Sequence, residues 1–109
     1  MVDLPRPIAT YLAANARLDA EGMLSAFAAN AVVKDEGAER HGLGAIEAWL
    51  QSATIGVRAI FRPDSWRREG DAIVLEGPTA GDFPGSPIRF CFYVWLKDDK
   101  IVRLKIVQE

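Results

Sequence analysis

A chain of 109 residues with 50% hydrophobic content is sized for one compact domain around a single core and is too short for two. Its 13 basic and 15 acidic residues leave a net charge of -2 with both signs interspersed, so no basic field exists to draw nucleic acid or an anionic membrane. Cys91 stands alone, which excludes an internal disulfide and a thiolate metal cluster; no apolar run approaches the ~20 residues that span a bilayer, and "MVDLPRP" lacks the features of a signal peptide, so a cytoplasmic protein is expected.

Taken in chain order, the prolines at 5 and 7 suit the first turn of a helix but not its interior, and Ile8, Tyr11, Leu12 and Ala16 then repeat at helical spacing. A first helix is expected from about Pro7 to Ala16. Asp19 is the natural N-cap of a second, short helix whose stripe of Met23, Leu24 and Phe27 runs out at Asn30, with Gly22 as an internal weak point. Val32 to Lys34 read as a brief strand. Lys34, Glu36, Glu39 and Arg40 read as its solvated exit, and His41 with Gly42 as the approach to a third helix carrying Leu43, Ile46, Trp49 and Leu50.

Past Thr54 the chain turns to β-branched and aromatic segments separated by "EGD", "DFPGSP" and "DDK", the chemistry of turns between antiparallel strands. The expectation is a single α+β domain over residues 1–109, with three N-terminal helices packed in the concave face of a curved, mostly antiparallel sheet. In "RFCFYVWL" alternation sends Phe90, Phe92, Val94 and Leu96 one way and Cys91, Tyr93 and Trp95 the other. Both faces are apolar, and too few helices exist to cover both. A second copy of the chain is therefore expected on Cys91, Tyr93 and Trp95, as a homodimer. With such neighbours Cys91 reads as a packing residue rather than a nucleophile. In the last strand Leu104 and Ile106 oppose Arg103 and Lys105.

The stretches "YLAANARLDAEGMLSAFAANAVVKDEG" and "RHGLGAIEAWL", followed by the sheet-forming remainder, resemble the nuclear-transport-factor-2-like superfamily, which includes SnoaL-like polyketide cyclases, ketosteroid isomerases and limonene epoxide hydrolases. "LSAFAANAVVKDEG" and "ERHG" carry the closest match. The resemblance implies a cone-shaped α+β fold, on which enzymes, ligand carriers and adaptor domains all occur. In ketosteroid isomerases a helix-one tyrosine holds the developing oxyanion and an aspartate ending the first strand moves the proton; Tyr11 and Asp35 fall on those positions. The third member of that constellation is a neutral aspartic acid. Its position here falls on Phe92, with Cys91 the nearest alternative, and neither is an acid. Limonene epoxide hydrolases use an Asp-Arg-Asp arrangement; Arg58, Arg62 and Arg89 lie on candidate strands, but no second aspartate is directed inward.

Asp35 thus has two readings: a turn residue accepting backbone hydrogen bonds within "KDEGAE", or a carboxylate carried into an apolar cavity as a proton shuttle. Tyr11 is either a core aromatic or the phenol that partners it. Glu36 alternates to solvent, Trp49 and Trp66 pack or form a pocket wall, and His41, the only histidine, lacks further ligands for a metal. Parity and resemblance together predict a lining of Tyr11, Phe27, Val33, Asp35, Trp49, Phe90, Phe92, Val94, Leu104 and Ile106. Such a lining suits a small apolar molecule with one carbonyl or hydroxyl and requires no cofactor. The implied activity is isomerisation or cyclisation by proton transfer. The alternatives are a non-catalytic carrier or a protein-interaction module.

Overall fold

In the computed structural model, which describes residues 4–109, helix α1 (Arg6–Ala16) starts on Pro5 as N-cap and buries Ile8, Tyr11, Ala14 and Asn15. Helix α2 (Ala20–Leu24) is capped as expected: the Asp19 carboxylate accepts the Gly22 N–H at 3.0 Å. Gly22 is a packing requirement rather than a weak point, because a Cβ there would meet Asp19 Oδ2 at 2.6 Å and Ala14 Cβ at 2.9 Å. The second helix also ends earlier than its apolar spacing suggests. Phe27 opens strand β1 (Phe27–Asp35) and pairs with Ile101, while Ala26 C=O accepts the Ile101 N–H. Met23 and Phe27 both reach the core from two different elements, and their four-residue separation only mimics one helical stripe.

A turn at Glu36 and Gly37, both at positive φ (55° and 77°), leads into β2 (Ala38–His41), an edge strand where a solvated loop was expected. Helix α3 (Gly42–Leu50) follows and widens into one π-helical turn, Gln51–Ile55. The remaining strands are β3 (Ile60–Phe61), β4 (Ser65–Glu69), β5 (Ala72–Ala80), β6 (Ile88–Lys97) and β7 (Lys100–Gln108). Their order is β2-β1-β7-β6-β5-β3, with β4 also on β5, and every pairing is antiparallel except β1 with β7. The segment between β3 and β4 crosses directly over Gly77, where a Cβ would lie 2.5 Å from Pro63 Cα and 2.7 Å from Arg62 O.

Cross-strand registers sort the side chains into rows. On the concave side one row runs Asp35, Ile106, Phe92 and Leu75, and the next runs Val33, Leu104, Val94 and Ile73. Ile8, Met23, Ile46 and Leu50 from the helices seal the second row, each almost wholly removed from water and contributing about 1.5–3 kcal/mol by burial. On the convex side Tyr93 and Trp95 stack with centroids 6.4 Å apart. The Arg103 guanidinium lies 5.9 Å from the Trp95 ring and Lys105 Nζ 5.4 Å from Tyr93. Cys91 is buried on that face. No helix of the described residues is long and apolar enough to cross a membrane.

Candidate functional site

Where the helices stop covering the sheet, a cavity of about 780 Å³ remains, bordered by Tyr11, Asp35, Trp49, Phe90, Phe92 and Ile106 from the expected lining. The other four expected wall residues, Phe27, Val33, Val94 and Leu104, belong to the packed core instead. Val33, Leu104 and Val94 occupy the row one pleat repeat, roughly 7 Å, deeper than Asp35, Ile106 and Phe92, and α1 to α3 fill the space over it.

Asp35 ends β1 with its side chain turned inward. Its Oδ2 accepts the indole N–H of Trp49 at 3.0 Å, while its backbone carbonyl accepts from Arg40 Nη1 at 2.7 Å. Trp49, 4% exposed on α3, therefore fixes the carboxylate from the helix side and forms a wall at the same time. Glu36 is exposed at the turn and reaches only the rim.

Tyr11 packs edge-on against Phe27 (centroids 5.9 Å) and Phe92 (6.5 Å). Burial, and then the negative charge of Asp35, push its phenol well above the usual tyrosine range. It is thus a neutral hydrogen-bond donor at any physiological pH, within electrostatic reach of Asp35. Above pH 10 the unfolded chain releases this proton while the folded chain retains it, so stability conferred by the protonated phenol is lost as pH rises from there. Urea midpoints measured from pH 9 to pH 11 should fall more steeply for the wild type than for Tyr11→Phe; parallel curves would contradict this placement of the phenol.

Phe92 fills the third position with a ring stacked on Phe61 at 3.9 Å and 5°. Cys91 faces the opposite side of the sheet, so no acid completes the constellation from β6. The three candidate arginines also stay outside. Arg89 is held by Asp64 (2.8 and 3.1 Å) and Glu109 (2.9 Å), Arg58 faces Asp82 at 3.8 Å, and Arg62 is exposed. His41 is the exposed N-cap residue of α3, and its Nε2 lies 3.0 Å from Glu39 Oε1. That contact and Arg103 hold the Glu39 carboxyl below its usual range. Trp66, on β4, packs against the core. Among the described residues no group of three His, Cys, Asp or Glu side chains is placed to hold a metal ion.

Several cavity residues lie outside the expected lining. Asn15, 1% exposed, donates to Ala59 C=O (2.9 Å) and accepts the Phe61 N–H (2.8 Å), fastening β3 to α1. Arg40, read as solvated, is half-buried at the cavity edge, since β2 places it opposite Val33. Carrying strand alternation across the two-residue turn from Asp35 would have found it. Thr79 lines the far wall, and its buried Oγ1 has no hydrogen-bond partner among the described residues. An unsatisfied buried hydroxyl is costly, so Thr79→Val, which keeps the shape, should raise the unfolding free energy by about 1 kcal/mol in urea titration; a loss of stability would mean the hydroxyl is paired.

The comparisons with known proteins agree with the fold. The SnoaL-like domain family matches residues 8–104. The chain belongs to that family. A candidate polyketide cyclase of Sinorhizobium meliloti shares 33% identity, with 96% of each chain covered and a TM-score of 0.89. A hypothetical protein of Catenulispora acidiphila with a ketosteroid-isomerase-like fold, crystallised with trimethylamine, superposes with a TM-score of 0.81 at 18% identity (96% of this chain, 86% of that one). TerC, co-crystallised with polyporic acid, reaches 0.80 at 17% identity (94% and 88%). At those two identities the likeness is one of fold. No functionally curated protein matches the chain significantly. The SnoaL-like fold and its polyketide-cyclase and ketosteroid-isomerase-like relatives accord with the sequence reading, including the three helices against a strongly curled sheet.

Proposed function

We propose that this SnoaL-like protein binds a small apolar carbonyl compound in the concave cavity and moves a proton on it without a cofactor. Asp35 takes the proton from the carbon next to the carbonyl, the electron pair passes to the carbonyl oxygen as an enolate, and the Tyr11 phenol donates a hydrogen bond to that oxygen. Asp35 returns the proton to the γ-carbon, which completes an isomerisation; in a cyclisation the enolate carbon instead attacks a second carbonyl carbon of the same molecule, and Asp35 delivers the proton to the alkoxide oxygen formed there. The observation that carries this reading is the sharing of one largely apolar cavity by an inward carboxylate and a neutral phenol that feels its charge. The 33% identity to a candidate polyketide cyclase supports it.

The Phe92–Phe61 stack, standing where the third acid is absent, favours a second reading: a carrier in which Asp35 and Tyr11 only orient the ligand. Incubation in D2O with a cyclic β,γ-unsaturated ketone separates the two. Catalysis predicts formation of the conjugated isomer, with deuterium at the γ-carbon in those turnovers in which the Asp35 carboxyl exchanges with solvent before it returns the proton. Binding without isomerisation supports the carrier, and absence of binding counts against both. The Tyr93–Trp95 face supports the proposal of a homodimer; a monomeric mass by light scattering at micromolar concentration would contradict it.

A further inference from the structure

The proton-transfer reading leaves one side chain at the cavity without a task. Arg40 stands opposite Val33 in the β1–β2 ladder and shares the concave side with Asp35, whereas its neighbours Glu39 and His41 pair with each other on the convex side, where Glu39 also reaches Arg103. The guanidinium is positioned by its own hairpin: Nη1 donates to Asp35 C=O at 2.7 Å and to Ala38 C=O at 3.2 Å. Those bonds occupy one of its nitrogens. Its remaining N–H groups bond to no described residue, and no carboxylate among the described residues neutralises it. Asp35, the acid closest in sequence on this face, directs Oδ2 to Trp49, and Glu36 is exposed at the turn.

A half-buried, pre-positioned cation at the edge of an apolar cavity offers nothing to a hydrocarbon, but it offers a planar set of donors to an oxyanion. We propose that Arg40 is the anion-recognising residue of this site and that its ligand is an apolar, ring-sized molecule carrying an acidic oxygen, a carboxylate or an ionised enol or phenol. The inference rests on the reading of the cavity as a small-molecule site and specifies the class of molecule. Asp35 and Glu36 oppose a second anion nearby. Binding therefore depends on direct contact with Arg40 rather than on general attraction, and is sensitive to this one side chain.

Two fluorescent probes with the same ring system test it: 1-anilinonaphthalene-8-sulfonate, which is anionic, and N-phenyl-1-naphthylamine, which is neutral. Only binding abolished by Ala53→Trp, a substitution that fills the cavity, is counted. The wild type should bind the anionic probe at least about tenfold more tightly than the neutral one, the scale of a charge-assisted hydrogen bond. Arg40→Met should erase that preference while leaving the neutral probe within about twofold. Because Arg40 also ties the hairpin, Arg40→Gln, which retains an N–H donor without the charge, is measured alongside; it should lose the preference too. A preference that survives in Arg40→Gln, or equal binding of both probes to the wild type, overturns the assignment of Arg40 and leaves the cavity reading intact. Failure of the wild type to bind either probe overturns the cavity reading, and this inference with it.

Discussion

Asn15→Leu should lower the unfolding free energy by about 2–5 kcal/mol, a large share of the roughly 5–15 kcal/mol that holds a domain of this size together. Leucine keeps the branching and the number of heavy atoms of asparagine, so the loss comes chiefly from polarity. Asn15 is almost fully buried, and its amide hydrogen-bonds both the Ala59 carbonyl and the Phe61 N–H, backbone groups 44 and 46 residues away. Leucine leaves both buried without a partner, each costing about 1–3 kcal/mol. Phe61 is also the ring on which Phe92 stacks, so release of β3 should loosen the cavity wall. Urea unfolding measures the first effect; a change below about 0.5 kcal/mol, typical of an indifferent surface site, would contradict this account of how the cavity is held.

The second large effect concerns Asp35. Asp35→Asn should reduce proton transfer to the β,γ-unsaturated ketone by about 10²–10⁴-fold, the usual contribution of a positioned general base. The amide oxygen can still accept the Trp49 N–H, so the fold and the affinity for the ketone should persist; that separation of rate from binding is what distinguishes a base from a structural residue. Isomerisation that continues undiminished in Asp35→Asn would place the base elsewhere, with Glu36 at the rim the next group to examine.

The sequence speaks clearly where structure has a short period and a buried face. Alternation in β6 and β7 puts Phe90, Phe92 and Ile106 on the concave side and Cys91, Tyr93 and Trp95 on the other, because a pleated strand fixes that parity without knowledge of its neighbours. It says little of β2, whose "AERH" is an edge strand without an apolar period; Arg40 is reached only by carrying alternation across the turn from Asp35. It misleads at Met23 and Phe27, where an accidental four-residue spacing joins a helix to a strand. The division between cavity and core is equally illegible, since Val33 and Asp35 share one face and differ only in what the helices place above them. Asn15 reads as an ordinary helix residue; its partners lie too far along the chain for any local pattern to announce them.

On the reading proposed above, the space beside Asp35 and Tyr11 receives small apolar molecules. Methyl-detected NMR during titration with N-phenyl-1-naphthylamine tests it most directly. Binding in the cavity should give saturable shifts confined to cavity methyls such as those of Val57, Ile88 and Ile106, with Val32 and Val74 on the convex side unmoved. Shifts centred on Val32 and Val74, or none at all, would contradict it.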